Sequence, residues 1–179
     1  MIFTETILKG YYIIELEKII DERGFFARSF CKNEFLAHDL KTDIVQCNIS
    51  FNSKKGTLRG MHMQLPPKAE AKLIRCTKGR IYDVIIDLRS ESETYCKWLA
   101  IELTERENKA IYVPEGFAHG FQTLEENSEV FYHMFEFYDP GSSTGVRWDD
   151  QAFGIEWPLP NPLISEKDAS YPLYKKVFS

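Results

Sequence analysis

The sequence predicts an all-β sandwich or barrel. Three observations carry this expectation: short runs of β-branched and aromatic residues, turn residues between the runs, and no alternation of helical with strand-like segments. Candidate strands follow one another at 11–16, 24–30, 44–50, 56–64, 71–78, 79–88, 97–103, 109–113, 120–123 and 129–138. Two short peripheral helices are expected. One is at 33–40, and one at 104–108, where Thr104 and Glu107 have capping-box spacing. A further helical turn is expected after Ser165, and the proline-rich WPLPNPL (157–163) reads as an extended strap across the surface. No internal repeat, low-complexity tract or flexible linker interrupts the chain, so residues 1–179 are expected to form a single domain.

At 179 residues the chain is long enough to bury most of its apolar surface without disulfides or metals. Its 22 Lys and Arg against 27 Asp and Glu leave a net charge of −5, which disfavours nonspecific nucleic-acid binding and still allows a local cationic pocket. Cys31, Cys47, Cys76 and Cys96 are widely spaced with no C-x-x-C pair. Neither a zinc ribbon nor a disulfide framework is indicated, and a reducing cytoplasm is the expected setting. The first twenty residues are broken by Glu5, Lys9, Glu15, Glu17 and Lys18, so neither a signal peptide nor a membrane span is expected there.

The strand TLRGMHMQ (57–64) contains Arg59 and His62, which strict alternation would point to opposite faces. Both can serve one site only if the strand breaks its period between them, and Gly60 permits a bulge there. Taken alone, the strand favours reading His62 as a hydrogen-bonded core histidine and Arg59 as a surface charge. VPEGFAHGF (113–121) carries Pro114, Gly116 and His119 in a P-x-G-x-x-H pattern that resembles the second box of the cupin superfamily of small antiparallel barrels. In the partner box Gly56 and His62 fit, but Gln64 stands where a second histidine ligand belongs. A neutral amide is a poor ligand for a transition metal, so the match favours the barrel over its usual metal. The alternative is a metal-dependent cupin oxygenase or isomerase that uses His62 and His119, with His133 or Glu70 completing the set.

In SEVFYHMFEFYDP (128–140), alternation puts Tyr132 and Tyr138 on one face, about 20 Å apart. A phenol can donate a proton there and a second ring can stack on a planar group, although aromatic residues are also common in strands for packing alone.

DERGFFARSF (21–30), VQCN (45–48), GTLRGMHMQ (56–64), AKLIRCTKGRIYDVIIDLR (71–89), YVPEGFAHGF (112–121), GVRWDD (145–150), GIEWPL (154–159) and SEKDA (165–169) together resemble the dTDP-4-dehydrorhamnose 3,5-epimerase family, in order and over nearly the whole chain. The resemblance implies a cupin-type jelly-roll barrel, or double-stranded β-helix, with neither metal nor cofactor. It also implies a homodimer and a substrate that joins a nucleoside diphosphate to a 4-keto-6-deoxyhexose. The C4 ketone of such a sugar acidifies the hydrogens at C3 and C5, because the charge left behind rests on the enolate oxygen. Epimerisation then needs a base on one face and an acid on the other. His62 matches the family's base, Tyr132 its proton donor, and Asp168 the carboxylate that pairs with the base. Lys72 lies where the family has a lysine beside the sugar, suited to holding enolate charge. Arg23, Gln46, Asn48, Arg59, His119 and Lys167 carry over as substrate-binding residues, and Tyr138 as the ring that stacks on the nucleobase. Arg23 and Arg59 also suit a diphosphate by their chemistry alone. Asp168 has a competing role, since Ser165 three residues before it has capping-box spacing.

Two positions depart from the family pattern: Arg28 and Ser143 each stand where an acidic residue is usual. Both are on the nucleotide side, so a cytidine- or guanosine-linked sugar stays open beside the thymidine one, as does inversion at C3, C5 or both. A cupin that binds sugar nucleotides without chemistry is the remaining rival.

Overall fold

The computed structural model describes residues 1–175. Strands β1 (Ile2–Glu5), β2 (Tyr12–Glu15), β10 (Ala110–Val113), β7 (Lys72–Lys78), β12 (Ser128–Met134) and β5 (Gln46–Asn52) lie in that order in a six-stranded antiparallel sheet. A five-stranded antiparallel sheet runs β13 (Ser143–Gly145), β6 (Leu58–Gln64), β11 (Phe117–Thr123), β8 (Arg80–Asp87) and β9 (Trp98–Thr104). Strands β3 (Ile19–Asp21) and β4 (Gly24–Phe26) pair only with each other, and two short helices, α1 (Lys32–Leu36) and α2 (Glu166–Ala169), lie outside the sheets. The two large sheets face each other as a jelly-roll barrel of the cupin type. No helix among the described residues is long and apolar enough to cross a membrane.

The alternation of side chains builds the layers. Ile74 and Cys76 of β7, Ile81 and Ile85 of β8, Phe117 and Phe121 of β11, and Val130 of β12 form one buried cluster between the sheets. Leu73, on the opposite face of β7, joins Ile14, Ala110, Tyr112 and the α1 residue Phe35 in a second cluster. Both faces of β7 are therefore covered from Lys72 to Ile74, and its far end, Thr77 and Lys78, is exposed. Burying a side chain like Phe35 contributes about 1.5–3 kcal/mol, enough to hold a helix of barely one turn that has no side-chain cap. Met61, Val84, Ile86, Ala118, Val146 and Phe153 make a third cluster outside the five-stranded sheet, with Trp157 packed against it. Gly79 turns the chain from β7 in one sheet to β8 in the other. Its φ is +74°, and a Cβ there would stand 2.6 Å from Ser128 Oγ.

Several boundaries differ from the sequence reading. The strand expected at 24–30 ends at Phe26, because its partner, β3, ends with the pair Ile19 and Phe26. The strand expected at 120–123 begins earlier, at Phe117, where pairing with Asp87 of β8 starts. At 104–108 there is no helix: β9 runs to Thr104, whose Oγ1 accepts the Glu107 amide at 3.2 Å and closes a turn. The strand expected at 129–138 stops at Met134, so Tyr132 and Tyr138 do not share one continuous ladder. Beyond it the Phe137 amide donates to Glu136 Oε1, the Tyr138 amide to Gln46 Oε1 and the Asp139 amide to Gln64 Oε1, and these side chains replace strand pairing. The strands β1, β3 and β13 were not among the candidates. The proline-rich segment does strap the surface: Leu58 N donates to Leu163 O at 2.8 Å and Leu163 N to Gly56 O at 2.9 Å.

Candidate active site

The strand carrying Arg59 and His62 breaks its period between them. Opposite, His119 of β11 pairs with His62 while Phe121 pairs with Arg59, so three steps along β6 match two along β11. The extra residue is a bulge, and it returns Arg59 and His62 to the same face. Gly60 makes this possible. Its φ is +146°, and a Cβ on it would lie 2.6 Å from the Gly120 Cα. Met61 is turned out into the third cluster, and Arg59 and His62 both line a cavity of about 470 Å³, within the range of small-molecule sites.

His62 Nε2 lies 2.8 Å from Asp168 Oδ1, and Asp168 Oδ2 accepts the Gly60 amide at 3.3 Å. An ionised carboxylate only accepts, so Nε2 carries the proton and Nδ1 keeps the lone pair. The His62 side chain is 38% exposed and that of Asp168 is 8% exposed, so the base is open to the cavity while its partner is enclosed. Burial would raise the Asp168 carboxyl, but the His62 ring, the Gly60 amide and the Ser165 hydroxyl outweigh it and hold it below the usual carboxylate range. The capping question resolves in both directions. Ser165 Oγ caps α2 by accepting the Asp168 amide at 3.1 Å, while the Asp168 side chain turns the other way, to His62.

The opposite wall comes from the six-stranded sheet. Tyr132 of β12, with Asn48 of β5 and Lys72 of β7, lines an adjoining cavity of about 270 Å³ that also includes His62, Arg59 and His119. Burial pushes the Tyr132 phenol well above its ordinary value, with Asp83 adding to the rise and Arg59 opposing it, so the ring stays protonated. Lys72 Nζ lies 2.8 Å from Glu70 Oε1, and both side chains are nearly buried. Its charge is thereby matched before anything enters the cavity. His119 is buried, shares a 2.8 Å hydrogen bond between its Nε2 and Asp83 Oδ2, and meets Tyr132 edge-on at 6.3 Å. Both histidines thus engage Nε2 with carboxylates, and no group of three or more His, Cys, Asp or Glu among the described residues is arranged to hold a metal ion. His133 lies on the other face of β12, against Phe30 and Phe131, and Glu70 is paired with Lys72.

At the rim, Gln46, Tyr138, Lys167 and Ser143 line the larger cavity. Arg23 does not. It lies on the β3–β4 hairpin with its side chain 90% exposed, held to Asp21, because that hairpin is outside both large sheets. Arg28 is likewise away from the cavity and pairs with Glu34 at 3.1 Å. Two residues were not singled out by sequence. Asp83 had a signal, as the carboxylate between Ile81 and Ile85 on the inward face of β8. Tyr171, whose ring meets His62 edge-on at 5.8 Å, had none, since it reaches the site only through the path of the chain after α2.

Comparison with known proteins gives a family model described as dTDP-4-dehydrorhamnose 3,5-epimerase that matches residues 5–176. The chain is 42% identical over 165 residues to the dTDP-4-dehydrorhamnose 3,5-epimerase of Shigella flexneri, covering 92% of this chain and 91% of that one. The structure of the dTDP-4-dehydrorhamnose 3,5-epimerase from Bacillus anthracis with TDP and PPi bound is similar at a TM-score of 0.93 and 38% identity, covering 96% of this chain and 98% of that one. A dTDP-6-deoxy-D-glucose-3,5-epimerase from Legionella pneumophila in complex with dTDP-4-keto-L-rhamnose is similar at a TM-score of 0.88 and 33% identity, covering 94% and 90%.

Proposed function

This chain belongs to the dTDP-4-dehydrorhamnose 3,5-epimerase family, carbohydrate epimerases of the isomerase class, and from that membership we propose that it inverts C3 and C5 of a dTDP-linked 4-keto-6-deoxyhexose. The observation that carries this reading is the His62–Asp168 pair on one wall of a cavity whose facing wall presents Tyr132. His62 Nδ1 takes the proton from the carbon beside the ketone, and Asp168 stabilises the imidazolium that forms. Lys72 faces the enolate oxygen, and the Tyr132 phenol returns a proton to the opposite face of that carbon. Arg59 and His119 hold the diphosphate and sugar, Asn48 and Gln46 hold the sugar nucleotide, Lys167 lies at its entrance and Tyr138 stacks on the base. No cofactor takes part in this scheme.

The protein acts as a homodimer in this reading. The β3–β4 hairpin exposes Ile19, Ile20, Phe25 and Phe26, and Ile49 and Phe51 are exposed on the edge strand β5. Apolar groups on an unpaired edge and a projecting hairpin are suited to a two-fold contact. Such a contact gives Arg23 a role its own cavity does not, as a guanidinium delivered to the partner's substrate. A cytoplasmic setting fits the four free cysteines.

Incubation in heavy water with 4-keto-6-deoxyhexoses linked to thymidine, cytidine and guanosine diphosphates tests the assignment. Deuterium at C3 and C5 of the thymidine-linked sugar is expected. Labelling only on another nucleotide, or none at all, would overturn it.

A further inference from the structure

Gln64, which stands where the cupin box has a metal-ligating histidine, is 3% exposed, and its amide is fully engaged. Nε2 donates to Lys68 O at 2.8 Å and to Phe137 O at 3.1 Å, and Oε1 accepts the Asp139 amide at 2.7 Å. Both amide protons are spent, so Gln64 has no donor left for a ligand. Its three partners are backbone groups on two rim segments, one just after β6 and the other flanking Tyr138. Tyr138 is 56% exposed, and the strand ladder ends four residues before it, so its position depends on these side-chain bonds and on the one from its own amide to Gln46.

We propose that Gln64 is a positioning residue that fixes Tyr138 at a set distance from His62, two residues back on the same strand, so that nucleotide binding and proton abstraction share one frame. The proposal rests on the reading that Tyr138 stacks on the nucleobase. Replacing the amide leaves two carbonyls and one N–H without partners at the rim, which frees the Tyr138 segment while the His62–Asp168 pair stays in place. The loss therefore falls on substrate affinity and spares the chemical step.

The test is steady-state kinetics on Gln64→Met, Gln64→Glu, Tyr138→Ala and the Gln64→Met/Tyr138→Ala double variant. Gln122→Met serves as control. Gln122 is also fully buried and exchanges two hydrogen bonds with the Leu159 backbone, at 2.9 and 3.0 Å, but away from the cavity. In Gln64→Met, KM is expected to rise about tenfold with kcat within about twofold. The double variant should be no worse than Tyr138→Ala, and Gln122→Met should lose thermal stability with KM unchanged. Gln64→Glu keeps the acceptor for Asp139 and loses the donors, so it should raise KM in the same sense and covers the case in which the Met variant does not fold. Amide exchange should speed up at 137–139 in the folded Gln64 variants. If Tyr138→Ala raises KM while the Gln64 variants do not, or if kcat falls in step with stability as a packing defect would dictate, the positioning role is overturned. An unchanged KM in Tyr138→Ala overturns the stacking reading itself, and the positioning role with it.

Discussion

Arg59 and His62 lie three residues apart on β6 yet face the same cavity, because only two steps of β11, from His119 to Phe121, span the same interval. Gly60 is the hinge of that mismatch. Gly60→Ala would drive a Cβ to 2.6 Å from the Gly120 backbone at a φ that L side chains rarely adopt. The expected cost is roughly 2 kcal/mol or more in denaturant unfolding, together with a collapse of turnover in whatever protein folds. A variant of wild-type stability and activity would show that the bulge does not need glycine.

His62→Ala should remove turnover by roughly a thousandfold or more while leaving the circular dichroism spectrum unchanged, since the side chain is part-exposed and carries no core packing. Asp168→Asn should lower kcat by about a hundredfold or more, through loss of the charge that supports the imidazolium. Full activity in either variant would remove the pair from the mechanism.

Tyr132→Phe separates the two half-reactions. With the base intact and the opposite acid gone, the substrate should still exchange its proton for solvent deuterium while inversion stops. Normal product formation, followed by NMR, would exclude Tyr132 as the donor.

The Asp168 carboxyl is held below its ordinary value, so its stabilising contribution has a defined pH window. For an acid depressed in the folded state, the contribution is complete above the unfolded carboxylate value of about 4 and is lost as the pH falls through the lower, folded value. The stability difference between the wild type and Asp168→Asn in urea titrations should shrink as the pH falls below about 4. A difference that stayed constant well below about pH 4 would place the stabilising charge elsewhere.

Subunit mixing tests the hairpin. If Arg23 serves the partner's cavity, Arg23→Ala and His62→Ala chains, each weak alone, should regain activity when refolded together, because one cavity of the mixed dimer then has both residues. No regain in a mixed dimer verified by mass would confine Arg23 to its own chain or to no role.

The choice of a barrel over a sandwich came from the resemblance to the cupin boxes and the family. The all-β class, most of the strands, the strap and the helical turn at Ser165 were legible in the sequence because they rest on local signals: β-branched runs, turn residues and cap spacing. The strand expected to reach Tyr138 was not, since nothing in a period-two pattern reveals that Glu136, Gln46 and Gln64 will take over the backbone amides. The candidate groups His62, Asp168, Lys72 and Tyr132 are legible as residue types in family order.

By itself, the sequence determined which groups are available and which family pattern they follow, because those depend on identity and order along the chain. Tertiary structure decided that the Asp168 side chain, 106 positions away, meets His62, that Asp83 backs His119, that Tyr171 walls the base, and that Arg23 leaves its own cavity. Those relationships follow from strand register and from the path of the strap after β13, which are set by the packing of two sheets and by no local preference.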